Sequence, residues 1–332
     1  MKEFLATAES GAARERLHAQ TRVRVGFIVG PTGSGKTTLA LDVAEQIGAE
    51  IVNADSRQLY RGMDIGTAKP SSEERRRVRH HLIDVRSPDE PVDVATFVTM
   101  AREAIADIAR RGMRILVVGG SGLYLRVLRG GIFSGPSASP GLRRELQALA
   151  AERGIGFLHD RLGEVDAAAA SRIQRNDLYR ITRALEVYRL TGVPISVHQQ
   201  RHRFAAGEYE TLTVGIESDR KRLYEAIDRR FDAMIAAGLV DEVRALLAHG
   251  YNPDRPPLST IGYREAAVFV RGEIELEKAV EAAKRESRRL AKRQLTWFRS
   301  EPEIVWVEGE QARERATAAF EEFFAGSKSE RN

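Results

Sequence analysis

The eight residues Gly30-Pro31-Thr32-Gly33-Ser34-Gly35-Lys36-Thr37 fill every position of the pattern G-x-x-x-x-G-K-[ST]. That spacing lets backbone N–H groups curl around phosphate oxygens, with the partial positive charge of a helix start behind them. Lys36 is expected to reach the outer phosphate, and the Thr37 hydroxyl to hold Mg²⁺. Residues 23–29 before the loop are β-branched and apolar enough for a buried strand, and residues 38–47 after it have helical spacing. Strand, glycine loop and helix together make this a site for a di- or triphosphate rather than a plain turn.

A phosphate loop alone is shared by kinases, ATPases, GTPases and some transferases, so three further groups bear on the chemistry. Asp55-Ser56-Arg57-Gln58-Leu59-Tyr60 follows a strand expected over 50–55. A carboxylate there suits orienting Mg²⁺ or taking a proton from an incoming nucleophile, and it equally suits a helix N-cap. Gly119-Gly120-Ser121-Gly122 follows a strand expected over 114–118, where an ATPase would often carry Asp. The Ser121 hydroxyl suits a hydrogen bond to a leaving phosphate, with a simple strand-to-helix turn as the alternative. The third group is basic. Arg180 and Arg183 lie three apart on a helix; Lys284, Arg288 and Lys292 form one helical row, and Arg285, Arg289 and Arg293 the next. Gln294, Thr296, Trp297 and Arg299 follow, adding hydrogen bonds and an aromatic face. Such cations repel one another unless an anion lies across them. A nucleic-acid backbone with stacked bases fits, and so does a solvated face paired with Glu281 and Glu286.

The elements that must position these groups alternate. Strands over 23–29, 50–55, 81–85 and 114–118, with a helix over 93–111, imply a parallel sheet whose ligand sits at the carboxyl ends of the strands. Asp55, Asp84 and Ser121 fall at such ends and are expected in one cleft with Lys36. Residues 130–140 are rich in Gly, Ser and Pro and read as a linker; from 141 to about 200 the spacing is helical with no strand signal. Residues 211–216 return to the sheet, 220–300 are helical around a Pro-rich turn at 250–257, and 304–307 is a last strand. The expected fold class is α/β: a P-loop NTPase-like core with a parallel sheet, plus a small all-helical insertion domain. The core is expected over 23–130 and 206–325, the insertion over 131–205, a flexible extension over 1–22 and a disordered tail over 326–332.

Composition narrows the class. The 332 residues, 42% hydrophobic, suffice for one large core or two domains. No apolar run approaches the roughly 18 residues of a membrane helix, and residues 1–21 lack the apolar stretch of a secretory signal. The chain has no cysteine, which excludes disulfides and thiolate metal sites and suits a cytoplasmic enzyme. The net charge of +5 favours nucleic acid only weakly, but its carriers are mostly arginines, which pair with phosphate and stack on bases.

Longer motifs are more specific than the phosphate loop. Gly62-Met63-Asp64-Ile65-Gly66-Thr67-Ala68-Lys69-Pro70, His80-His81-Leu82-Ile83-Asp84, Arg183-Ala184-Leu185-Glu186-Val187, Ile261-Gly262-Tyr263-Arg264-Glu265 and Lys292-Arg293-Gln294-Leu295-Thr296-Trp297-Phe298-Arg299 join the groups above. Together, over about residues 24–307, they resemble the tRNA dimethylallyltransferase family. The resemblance implies transfer of dimethylallyl from its diphosphate to the exocyclic amine of adenosine-37 in tRNA, with release of diphosphate. It implies that the phosphate loop holds the donor's diphosphate, that Lys36, Ser121 and Mg²⁺ on Thr37 neutralise it as it departs, and that Asp55 takes the amine's proton. By position, Asp55, Ser56, Arg57 and Gln58 match the motif that contacts the flipped base. Tyr179, Ile181 and Thr182 with Arg180 and Arg183, then Ser259, Thr260, Ile261, Gly262, Tyr263 and Arg264, and the whole Lys292 to Arg299 block match segments that grip the anticodon stem-loop. Arg220 and Arg230 stand where the family has arginines near the donor. Mg²⁺ is the implied cofactor, and a cytoplasmic monomer with no membrane or obligate protein partner is implied as well. Three departures stand out. Ser121 replaces a usual Thr, Ser259-Thr260 stands where Gln often precedes the Ile-Gly-Tyr run, and Ala226 stands where Arg is common. A nucleoside or small-molecule kinase using ATP explains the phosphate loop and Asp55 equally well but leaves the basic helix without a task. A non-catalytic RNA-binding protein would leave Lys36 and Asp55 surplus.

Overall fold

The computed structural model describes residues 22–130, 135–136, 139–202, 208–301 and 303–326. The extension expected over 1–22 and the tail over 326–332 lie outside these, apart from Arg22 and Gly326, as does part of the linker over 130–140. The chain divides into two compact units, with residues 130–207 forming the smaller.

The larger unit is built on one sheet of six strands: β1 (Arg24–Val29), β2 (Ala49–Asn53), β3 (His80–His81), β4 (Arg114–Gly119), β5 (Glu210–Ile216) and β6 (Ile304–Val307). Every pairing is parallel, in the order β3-β2-β4-β1-β5-β6. Numbered along the chain, its helices are α1 (Lys36–Ile47), α2 (Ser72–Arg77), α3 (Val94–Arg110) and α4 (Gly122–Gly130), followed after the smaller unit by α10 to α14. These last are α10 (Arg220–Ala236), α11 (Leu239–Ala248), α12 (Tyr263–Val270), α13 (Leu276–Arg299) and α14 (Ala312–Ala325). Leu39, Val43 and Ile47 of α1 and Phe320 of α14 pack with Ile28, Leu116 and Val214 of the sheet in one core. Phe97, Ala101, Ile105 and Ile108 of α3 are buried as well. Burial of each such large side chain stabilises by roughly 1.5–3 kcal/mol. Strands covered on both faces read as continuous apolar runs, which is why β1 and β4 are legible without alternation.

One expected strand is a correction. The run 81–85 pairs with β2 only through His80 and His81. Beyond them Leu82 (φ 61°) and Asp84 (φ 58°) take left-handed backbone, and the chain turns onto the loop after β2. There Asp84 N–H donates to Gln58 O (3.3 Å), and Val85 and Arg86 N–H to Leu59 O (2.9 and 3.0 Å). The cause is electrostatic: the Asp84 carboxylate is held by Lys69 (2.6 Å) and Arg75 (2.8 Å). Asp84 therefore anchors a loop, and the expectation that it shares the Lys36 cleft is not met.

The smaller unit is helical throughout its described residues: α5 (Pro140–Arg153), α6 (Ile155–Val165), α7 (Ala167–Ala170), α8 (Leu178–Thr191) and α9 (Ile195–His202). Ser139, Asp166 and Asp177 cap α5, α7 and α8 through their side-chain oxygens. Leu146, Leu158, Leu162, Ile181 and Leu185 form its core. At its edge Glu186, fully buried, accepts from Arg143 (2.9 and 3.0 Å), Arg183 (2.7 Å) and the Ser139 N–H (2.7 Å). Burial raises this carboxyl's pKa, but the bonds from these donors outweigh burial and leave it below the usual range.

Candidate active site

Phosphate loop, second strand and glycine loop converge because β4 lies between β2 and β1, with Val29 registered against Gly119 and Asn53 against Val118. Loops leaving these neighbouring carboxyl ends meet in one crevice. Gly35 precedes α1 with φ 81°, a left-handed conformation that suits glycine, and it caps the helix without a side chain. The first N–H groups of α1 thus have no side-chain cap, as an anion site requires. The buried Ser34 hydroxyl has no hydrogen-bond partner among the described residues. Lys36 makes one bond, to Pro31 O at 3.4 Å.

The crevice is lined by Thr32, Lys36, Thr37, Asn53, Asp55, Gln58, Ala68, His80, Gly119 and Arg230, among others. Asp55 is set by a local turn: Asn53 Oδ1 accepts from the Asp55 N–H (3.1 Å), and Asp55 Oδ1 accepts from the Arg57 N–H (2.9 Å). Asn53 is itself fixed on Leu82 O (3.1 Å). The second Asp55 oxygen accepts nothing from the described residues and is left for a ligand. The helix N-cap alternative is not realised, because no helix begins there. Burial pulls the Lys36 ammonium down to a pKa of about 8; Asp55 works against this and Arg230 adds to it. Burial also lowers the Arg230 pKa, with Asp55 opposing.

These shifts carry a pH prediction. A diphosphate binds the protonated Lys36 and raises its pKa, while the free protein loses that proton near pH 8. Affinity for inorganic diphosphate should therefore be unaffected by Lys36 titration below pH 8. Above it, affinity should fall by up to about tenfold per pH unit relative to Lys36→Met, read by calorimetry. Identical pH profiles for the two proteins would remove Lys36 from the anion site.

Thr37 and Asp55 also decide the fit of Mg²⁺. Among the described residues no cluster of three His, Asp or Glu could hold a metal by itself. The Thr37 hydroxyl beside a phosphate cradle suits Mg²⁺, which takes one or two protein ligands and completes its shell with waters and phosphate oxygens, so Asp55 need not be a ligand and keeps its unbonded oxygen.

The other expected site residues divide. Arg230 lies in the crevice and donates to Thr67 O (3.4 Å). Arg220 lies outside it, stacked on Tyr224 with its guanidinium 5.2 Å from the ring centroid. Ser121 follows Gly120 in the loop next to the phosphate loop, where a Cβ on Gly120 would lie 3.2 Å from Gly30 O. Gln294 joins the two loops: its Oε1 accepts from Thr32 N–H and its Nε2 donates to Gly120 O, both at 2.9 Å. Trp297 seats on Gly122, with the Arg126 guanidinium 4.7 Å from its ring centroid. Leu295 and Phe298 are buried, so half of the Lys292 to Arg299 block faces inward while Lys292, Arg293, Thr296 and Arg299 are exposed. The six-cation surface is corrected likewise: Lys284 pairs with Asp232 (2.6 Å), Arg288 with Asp228 (2.6 Å) and Arg289 with Glu286 (2.6 Å). Repulsion along those rows is relieved by carboxylates within the chain.

Around α12, Gly262 and Tyr263 are buried, Ser259, Thr260 and Ile261 are half-buried, and Arg264 is exposed beside Glu265. In the smaller unit Tyr179 is 75% exposed and Arg180 exposed, whereas Ile181 and Thr182 are interior. Arg183 is committed to Glu186 and Pro136 O. His80 is a lining residue to which sequence reasoning gave no role. Its Nδ1 bonds Val78 O (2.8 Å), and burial keeps its pKa below the ordinary histidine value, so it is neutral near pH 7. Its register against Ile51 at the sheet edge, which only the structure shows, places it there.

Residues 58–301 match the family model described as IPP transferase. A protein named tRNA dimethylallyltransferase from Geobacter metallireducens is 51% identical over 289 residues, covering 87% of this chain and 94% of that one. A tRNA dimethylallyltransferase 1 from Pelobacter propionicus is also 51% identical, covering 86% and 92%. Among solved structures, the tRNA isopentenylpyrophosphate transferase of Bacillus halodurans superposes with a TM-score of 0.68 at 37% identity, covering 92% of this chain and 98% of that one. A eukaryotic dimethylallyltransferase acting on tRNA superposes with a TM-score of 0.79 at 26% identity, covering 93% and 82%.

Proposed function

The chain belongs to the IPP transferase family, and from that premise we propose that its crevice joins dimethylallyl diphosphate to the exocyclic amine of adenosine-37 in tRNA. The observation that carries this is the meeting of an ammonium with donors to spare and an unspent carboxylate oxygen, Lys36 and Asp55, in one crevice at the carboxyl edge of the sheet. The cradle holds a diphosphate, and the carboxylate beside it accepts a proton from a nucleophile that attacks carbon, not phosphorus. The relatives favour this over the kinase reading.

The bond between the allylic carbon and the diphosphate oxygen breaks, and the bond from that carbon to the adenine nitrogen forms. The nitrogen's proton passes to the second Asp55 oxygen, and diphosphate leaves. The amine is a weak nucleophile because its lone pair is delocalised into the ring, so placement against an ionising carbon is much of the catalysis. Lys36 and the first N–H groups of α1 meet charge that grows on the departing diphosphate. Ser121, in the adjoining loop, is proposed to add a hydroxyl to that group. Thr37 would hold Mg²⁺, which would supply further neutralisation of the leaving group. Arg230, which lines the same crevice, is proposed to steady the donor.

The base must leave its stack to enter the crevice. Lys292 and Arg293 of the larger unit are proposed to contact the tRNA, with Arg299 already paired to Glu217 (2.9 Å); in the smaller unit, Tyr179 and Arg180 are proposed as tRNA contacts in their own right. The protein is proposed to act as a cytoplasmic monomer. Among the described residues no helix is long and apolar enough to cross a membrane.

The primary test is transfer of label from radioactive dimethylallyl diphosphate to unmodified tRNA with Mg²⁺ and no ATP. Incorporation that vanishes when adenosine-37 is replaced fixes donor and acceptor together; phosphate transfer from ATP instead would return the chain to the kinases. For the tRNA surface, Lys292→Ala with Arg293→Ala should lower the slope of log affinity against log salt by roughly one to two. Arg288→Ala should leave it unchanged, because Asp228 already neutralises Arg288. The reverse pattern would move the tRNA surface one turn back along α13, to Arg288.

A further inference from the structure

Residues 62–70 are anchored by a side chain with no part in the chemistry above. Glu242, in the first turn of α11, directs its carboxylate into three consecutive backbone N–H groups. Its Oε2 accepts from Asp64 (3.0 Å) and Ile65 (2.8 Å), and its Oε1 from Gly66 (3.3 Å). The Tyr263 hydroxyl donates to the same Oε1 at 2.5 Å, and the Tyr263 ring lies so close over Gly66 that no Cβ would fit there. Directly after this cradle, the carbonyls of Thr67 and Ala68 accept from Gln58 Nε2 at 3.1 and 3.3 Å. Both N–H bonds of the Gln58 amide are thereby directed to the loop. Its Oε1, with no partner among the described residues, is the free polar end of a side chain that lines the crevice with Asp55.

We propose that Glu242 and Tyr263 are positioning residues for the transfer. By fixing the loop they lock the Gln58 amide so that it offers the base an acceptor and never a donor. An acceptor on Gln58 beside the free oxygen of Asp55 gives the crevice two acceptors, the complement of an exocyclic amine with two hydrogens. A flipped amide would direct N–H bonds at that amine and repel it, and would suit a keto-bearing base instead. With Glu242 in place the flip would also turn Oε1 onto two carbonyl oxygens, so the loop enforces the orientation.

The proposal rests on the transferase reading, and the experiment separates the two. Steady-state transfer is measured for the unaltered protein, Glu242→Gln, Tyr263→Phe, Gln58→Met and the double variant Glu242→Gln/Gln58→Met. No incorporation by the unaltered protein overturns the transferase reading and the proposal with it. Given incorporation, Glu242→Gln and Tyr263→Phe should each lower kcat about tenfold, the loss of one well-placed hydrogen bond. Affinity for inorganic diphosphate should stay within about twofold, because the phosphate loop does not touch Glu242. Adding Gln58→Met to Glu242→Gln should cost less than about threefold more, since the amide's orientation is already lost. The clamp alone is overturned if kcat survives in Tyr263→Phe, if diphosphate affinity falls in step with kcat, or if the losses multiply in the double variant. Should Glu242→Gln fail to fold, Tyr263→Phe combined with Gln58→Met carries the same cycle.

Discussion

Alanine in place of Asp55 should lower turnover by about 10²–10⁴, the span of a lost general base, while tRNA affinity stays within a few-fold. The carboxylate has two separable duties. One oxygen closes a turn by accepting from the Arg57 N–H at 2.9 Å, and the other, without a partner among the described residues, is the one proposed to take the amine's proton. Asp55→Asn keeps the first duty, since an amide oxygen also accepts, and loses the second, since an amide takes up no proton at neutral pH. Asparagine should therefore be nearly as inactive as alanine. Single-turnover transfer with prebound tRNA gives the comparison. Substantial activity in Asp55→Asn would reduce Asp55 to a turn-forming residue, and a collapse of tRNA affinity would make it a recognition residue.

The second large effect is expected at Lys36. Lys36→Met keeps most of the stem's volume and removes the only cation of the phosphate loop, and it should lower kcat/KM for dimethylallyl diphosphate by about 10²–10³. The magnitude follows from the site's dryness. The ammonium is enclosed enough for burial to bring its pKa to about 8, so its attraction to departing diphosphate is poorly screened. Affinity for tRNA alone should be unchanged, because Lys36 is assigned to the donor's diphosphate and not to the tRNA. Equal losses in tRNA affinity and in donor kcat/KM would mean the substitution had deformed β1 and α1 rather than removed a charge.

Much of the fold was legible because its signals are local. The apolar runs of β1, β4 and β6, the glycine loop and the helical insertion each follow from residues adjacent in the chain. The edge strand failed for the opposite reason. Residues 81–85 have a strand's composition, yet Lys69 and Arg75, 15 and 9 residues earlier and outside that run, draw Asp84 out of the sheet's path. Helical periodicity placed Lys284, Arg288 and Lys292 on one row correctly. It could not show that Asp228 and Asp232 of α10 face two of them, since pairing across helices depends on how the helices pack.

By itself, the sequence determined the phosphate loop, the parallel α/β class, the Asp55 motif and the family, because each depends on residue type at fixed spacing. The tertiary structure alone decided which side chains remain free to act. Gln294 and Trp297, which read as an RNA-facing pair, turn inward to brace the two glycine-rich loops, and Arg183 is committed to a buried glutamate. Glu242, silent in the sequence, holds the loop that orients Gln58. A hydrogen-bonding group is available to substrate only if the fold has not already satisfied it, and that depends on contacts hundreds of residues apart.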